Sequence, residues 1–189
     1  PLGSEASWLR FERELLGDNE TPPAPTGLIS LVNNIEDWEE KVNEICNETI
    51  NENMTTIGGI PSWVQMYFET LLKKSNKKNI TELFKGLSLF VYGGVNFSPY
   101  EKIFNKLLGK KINTIEYYPA SEGFFAYQNS QKDKSLLLQY DSGIFYEFIK
   151  TNEFESEKYT RYNLTNVEVG VNYILVVTSN AGLWAYNTG

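Results

Sequence analysis

Two strand-like runs joined through a glycine turn and an amphipathic helix constrain this chain most. Leu87-Ser88-Leu89-Phe90-Val91-Tyr92 is a short apolar and aromatic run, the signature of a strand. It leads into Gly93-Gly94-Val95-Asn96-Phe97. Ser98-Pro99-Tyr100-Glu101 follows, in the form of a capping box with Pro at the first helical position. The spacing predicts a helix with Tyr100, Ile103, Phe104, Leu107 and Leu108 on one face and Gly109 as its stop. A second strand-like run, Ile112 to Tyr118, comes next. A strand, a crossover helix and a strand form a parallel pair. Both strands then end at one edge, where open α/β sheets bind ligands. The fold class expected is α/β, a three-layer half with a largely parallel sheet, followed by further β-strands.

The second of these strands runs into Tyr118-Pro119-Ala120-Ser121-Glu122-Gly123-Phe124-Phe125. A small-residue turn ends there in a lone carboxylate, and an aromatic pair follows. Such a layout can offer an aromatic face to a base, backbone and hydroxyl donors to phosphate, and a carboxylate to Mg²⁺. It can equally be a hairpin turn with a solvated Glu and two core Phe.

The rest of the body reads as alternating and then mainly β structure. Ile35 to about Asn51 is expected as a helix with Ile35, Trp38, Val42, Ile45 and Cys46 inward. Met54 to Ile57 is a short strand, broken by Gly58-Gly59, and Pro61 opens a helix to about Lys74. Thr81 to Phe84 is a helical turn. Strands are expected over Phe124 to Tyr127, Ser135 to Tyr140, Phe145 to Ile149, Tyr173 to Thr178 and Leu183 to Tyr186. Lys73-Lys74-Ser75-Asn76-Lys77-Lys78 reads as a solvated helix end, with last-turn lysines favoured by the helix dipole.

The first 27 residues differ in kind. Residues 1–4, Pro1-Leu2-Gly3-Ser4, look like the scar of a cleaved tag. Trp8, Phe11 and Leu15 fall at i, i+3 and i+7, a short amphipathic helix. Asp18 to Gly27 is a Pro-rich extended linker. Arg10 and Arg13 are two of three arginines, while every lysine lies at Lys41 or later. Glu5 to Gly27 is therefore read either as a fused segment or as a docking helix of the same domain. Residues 28–189 form the body.

Composition excludes whole classes of chemistry. The chain has no His and a single cysteine, Cys46. His-based nucleophilic catalysis, His-ligated zinc and an internal disulfide are ruled out within it. Cys46 lies on the inward face of the first helix and reads as a buried structural thiol. A net charge of −7 argues against a nucleic-acid or anionic membrane surface. No apolar run approaches the ~20 residues that span a bilayer, and no signal peptide is evident, so a cytoplasmic location is expected. What remains is chemistry by positioning and electrostatics, to which adenylyl and phosphoryl transfer belong.

Several motifs, in order, carry a resemblance. They are Gly58-Gly59-Ile60-Pro61-Ser62-Trp63, Tyr92-Gly93-Gly94-Val95-Asn96-Phe97-Ser98-Pro99-Tyr100, and Tyr118 to Phe125. Tyr140-Asp141-Ser142-Gly143-Ile144-Phe145-Tyr146-Glu147-Phe148 and Thr178 to Tyr186 continue the series. From about Ile35 to Gly189 the chain resembles the auxin-responsive Gretchen Hagen family of acyl-acid amido synthetases, within the adenylate-forming superfamily. The resemblance implies an enzyme that activates a carboxylic acid with ATP and Mg²⁺, then transfers the acyl group to an amine, usually an amino acid. It implies a central piece of the adenylating domain. The phosphate loop would lie upstream, and the ribose-binding Asp and the lid with its Lys downstream. Such a piece is expected to be inactive alone.

Carried over by resemblance, Tyr118 would stack on adenine, and Gly94 and Val95 would line its pocket. Ala120 and Ser121 would lie near the phosphates and the acyl carbonyl, and Glu122 would be catalytic by binding Mg²⁺. Phe124 and Phe125 would either border the acyl site or fill the core. Pro119 departs from the small or polar residue expected there and removes a backbone donor. The alternative function is an interaction or scaffold protein. It would present the Trp8 to Leu16 helix for peptide docking or self-association through Trp8, Phe11 and Leu15.

Overall fold

The computed structural model describes residues 35, 37–156 and 158–188. The expectations for the tag remnant, the Trp8 to Leu16 helix and the Pro-rich linker lie outside these residues. The described residues divide into two compact units. One comprises those up to Ser121 together with Ala126–Leu137, the other Glu122–Phe125 together with those from Leu138 onward.

The first unit opens with helix α1, Trp38–Thr49, whose N-cap Asp37 accepts a hydrogen bond from the Glu40 N–H at 2.8 Å. That cap, with Glu39 and Glu40 in the first turn, starts the helix later than the expected Ile35. Strand β1, Thr56–Gly58, follows, and Pro61 opens α2, Pro61–Ser75. Val64, Phe68 and Leu71 bury one face of α2. Lys74, in its last turn, reaches back to α1, donating to Asn47 Oδ1 at 2.6 Å. The short α3, Ile80–Leu83, is capped by Asn79, whose side chain accepts from the Glu82 N–H. Then come β2, Leu89–Tyr92, α4, Glu101–Leu108, and β3, Asn113–Ala120.

Strands β1, β2 and β3 are parallel, with Ile57, Phe90 and Thr114 in one row. The sheet order continues to β4, Gly123–Tyr127, and β5, Leu137–Leu138; these enter the first unit through Ala126–Tyr127 and Leu137. These four helices of the described residues feed one core with Ile57, Phe90 and Tyr92 of the sheet. Its centre is aromatic. The Phe104 ring lies 4.9 Å from Phe90, 5.1 Å from Phe97 and 5.7 Å from Phe68.

Helix α4 differs from its expected start and face. No capping box forms at Ser98: the Asn96 side chain takes the Ser98 N–H at 2.9 Å, and Ser98 to Tyr100 make a turn. Asn competes well for such local backbone bonds. Phe104 and Leu108 are buried as expected, but Ile103 is exposed. The stop is as read: Gly109 has φ +77° and donates to Asn105 O.

Cys46 is fully buried, and burial raises its thiol to about 11, against a smaller opposing pull from Lys74. The unfolded thiol ionises near 9, so the native state is favoured below that pH. This contribution is lost as pH rises from about 9 to about 11. Urea midpoints should fall through that window, and less steeply in Cys46→Ala. Alkylation of native Cys46 by iodoacetamide at pH 8 should be at least about 100-fold slower than in urea-unfolded chain. Equal rates would contradict its burial.

The second unit is built on β6, Ile144–Lys150, β7, Tyr173–Ser179, and β8, Tyr186–Asn187. They form an antiparallel sheet in that order. Tyr146, Ile149, Val176 and Val177 form its buried centre, and Phe125 meets Tyr146 edge-on at 6.2 Å. Strands β5 and β8 are shorter than expected, as β1 and β2 are in the first unit. β5 keeps only Leu137–Leu138 of Ser135 to Tyr140, since the Asp133 carboxylate takes the Ser135 N–H and the hydroxyls of Ser142 and Tyr146 take the Gln139 carbonyl. Leu183 and Trp184 belong to the β7–β8 turn, where Ser179 N–H donates to Leu183 O and Ala185 has φ +48°.

Candidate functional site

Three strand exits meet at the carboxyl edge of the parallel sheet. The pairing of β1 with β2 ends at Gly58 and Val91, and the Gly59 N–H donates to Val91 O at 3.0 Å. Ile60 then leads toward Gly94: a Cβ on Gly94 would lie 3.9 Å from Ile60 Cγ1. On the other side, β2 and β3 pair to Tyr92 and Glu116. A Cβ on Gly93 would lie 2.5 Å from Tyr117 O and 3.3 Å from Pro119 Cδ. Only glycine lets the backbone come so close.

The edge therefore brings together Gly94 and Val95 after β2 with Tyr118 and Ala120 at the end of β3. Strand alternation buries Tyr117 and turns Tyr118 outward, where it is 41% exposed. Val95 and Gly94 are exposed as well. The expected broad turn is in fact two residues: β3 runs through Pro119 and Ala120, and only Ser121–Glu122 connects it to β4. Ser121 is exposed. Glu122, half-buried, follows it directly in the chain and is counted with the second unit. Of the aromatic pair, Phe125 is core and Phe124 is half-buried.

Sequence reasoning missed a polar pair below the edge. Tyr92 OH donates to Glu116 Oε2 at 3.1 Å. Burial, and then the Glu116 carboxylate, push the Tyr92 phenol above its ordinary range, so Tyr92 is the donor at neutral pH. The pair lines a groove of about 780 Å³ with Asn96, Glu101, Gln128 and Lys134. The register of two parallel strands, Tyr92 opposite Glu116, was the signal that could have found it.

Among the described residues no group of three or more His, Cys, Asp or Glu side chains could hold a metal ion. A single carboxylate is compatible with Mg²⁺, which takes one or two protein carboxylates, keeps several waters and uses substrate phosphates.

Over most of the chain the fold is similar to those of two solved enzymes. It is similar to a GH3.15 acyl acid amido synthetase, with a TM-score of 0.56 at 14% identity, over 84% of this chain and 37% of that one. It is also similar to an open conformation of 2-hydroxyisobutyryl-CoA ligase in complex with 2-HIB-AMP and CoA. There the TM-score is 0.52 at 14% identity, over 74% of this chain and 30% of that one. The chain thus spans about a third of the length of these enzymes. More particularly, residues 137–189 match the model of the GH3 family central domain. No curated protein sequence matches the chain. Among the described residues, no helix is long and apolar enough to cross a membrane.

Proposed function

We propose that the chain is the central part of an ATP-dependent acyl-acid amido synthetase, a ligase that adenylates a carboxylic acid and passes the acyl group to an amine. The match of residues 137–189 to the GH3 central domain carries this reading. The sheet edge that precedes that segment supports it. The exposed Tyr118 offers a ring face to adenine, and Gly94 and Val95 line the other side. Ala120 and Ser121 stand where the phosphates and the acyl carbonyl would lie. Glu122 would hold Mg²⁺, which when bound neutralises phosphate charge. The proposed location is cytoplasmic. The resemblance assigns the phosphate loop, ribose-binding Asp and lid Lys to segments outside the motifs found here, so the chain alone should bind nucleotide weakly and not turn over.

Calorimetry with ATP and Mg²⁺ tests this. Binding is expected, and Tyr118→Ala should weaken it by about 10-fold or more, the scale of one lost base–aromatic stack. No steady pyrophosphate release is expected with a panel of carboxylic acids. Steady release that Glu122→Gln abolishes would overturn the inactivity. Equal ATP binding by wild type and Tyr118→Ala would overturn the nucleotide role of this edge.

A further inference from the structure

Pro119 sits where a strand interior would ordinarily carry a hydrogen-bonding residue. The Glu116 N–H donates to Gln128 Oε1 at 3.1 Å, and the Glu116 carbonyl accepts from Gln128 N–H at 2.6 Å. The backbone groups of Glu116 therefore point away from β2. By strand alternation those of Ile115, Tyr117 and residue 119 point toward it. At residue 119 the ladder needs an N–H, and proline has none. Pairing of β2 with β3 stops at Tyr92 and Glu116, although β3 itself runs on to Ala120. Just past the end of β2, a Cβ on Gly93 would lie 2.5 Å from Tyr117 O and 3.3 Å from Pro119 Cδ.

We propose that Pro119 and Gly93 together set the width of the opening between the β2 and β3 exits, and so the fit of a flat base between Gly94–Val95 and Tyr118. Pro119 keeps the ladder from closing over the edge. Gly93 keeps the two exits from being wedged further apart. Both are positioning residues. The inference rests on the nucleotide reading of this edge.

Pro119→Ala restores the missing donor and lets the ladder extend. Gly93→Ala adds a methyl against β3 backbone, which cannot yield as a side-chain tip would. Binding of ATP–Mg²⁺ and of adenosine to the full 189-residue chain should be measured beside melting temperature without ligand. Pro119→Ala should bind both ligands about fivefold or more weakly while melting no lower than wild type, since a ladder bond is gained. A merely structural proline would not separate the two readouts in that sense. Amide exchange adds a ligand-free check: the new N–H at position 119 should be protected about as well as that of Tyr117. Gly93→Ala should lose affinity for adenosine as much as for ATP, because the base is what is misplaced.

If wild type and Pro119→Ala bind alike, or the amide at 119 exchanges freely, the cleft-width proposal fails and the nucleotide reading stands. If wild type binds neither ATP nor adenosine, the nucleotide reading fails and takes this inference with it.

Discussion

Phe104→Ala is expected to cost the first unit about 3–5 kcal/mol, the range for emptying a large buried aromatic site. The site is poorly able to collapse. Phe104 is 1% exposed and lies between three rings, Phe68 from α2, Phe90 from β2 and Phe97 from the β2–α4 turn. Those rings are held by different elements, so no single backbone shift fills the gap. Against a total stability of roughly 5–15 kcal/mol, that is a large fraction of what holds the fold. The melting temperature of the first unit should fall by roughly 10 °C or more, with Phe104→Leu losing much less. A shift of only a degree or so in Phe104→Ala would mean that the aromatic centre does not hold α4 to the sheet.

Gly109→Ala should cost about 2–3 kcal/mol, more than a surface helix end ordinarily commands. Two terms add. Residue 109 has φ +77°, where an L side chain costs about 1–2 kcal/mol. The new Cβ would also lie 2.4 Å from Asn79 Cγ. Asn79 cannot simply swing away, because its side chain caps α3 and holds Glu82; losing such a cap costs about 1 kcal/mol. Thr81 Oγ1, two residues on, donates to Leu108 O at 2.8 Å, so the end of α4 and the start of α3 fail together. Chemical denaturation of Gly109→Ala, Asn79→Ala and the double variant would show this as coupling. The double variant should lose clearly less than the sum of the singles. Strict additivity would refute the shared site.

The alternation of strand, glycine turn and helix carried most of the first unit, because periodicity reports which face an element buries. The helix opened by Pro61 and the Gly109 stop are where the pattern puts them, and the strand expected over Leu87 to Tyr92 forms from Leu89. What failed was decided by side chains competing for backbone. Asn96 displaced the Ser98 capping box, and Asp133 and Ser142 cut short the strand before Tyr140. Ile103 lies on the expected stripe of α4 but is exposed. Periodicity says where a side chain points, not whether a neighbour is there to cover it. At the edge, the meeting of the Gly94–Val95 turn with Tyr118 was legible from two strand ends, while the roles given to these residues and to Ala120 came from the resemblance. The Tyr92–Glu116 pair was not, because only the strand register puts those residues side by side.

The parallel row of Ile57, Phe90 and Thr114 also has a consequence in time. Its members are roughly thirty residues apart in sequence, and such long-range pairing pays loop-closure entropy before any contact repays it. During synthesis, at about 5–20 residues per second, β1 waits for Leu89–Tyr92 to emerge before it has a partner, and β2 waits again for Asn113. The helices can form in that interval, but the strand exits that build the candidate site cannot. The glycine turns at those exits are therefore among the last parts of the first unit to take shape. A slow elongation step between about Tyr92 and Asn113 would hold a nascent chain with a bare sheet edge, a target for chaperones or for another copy in the same state.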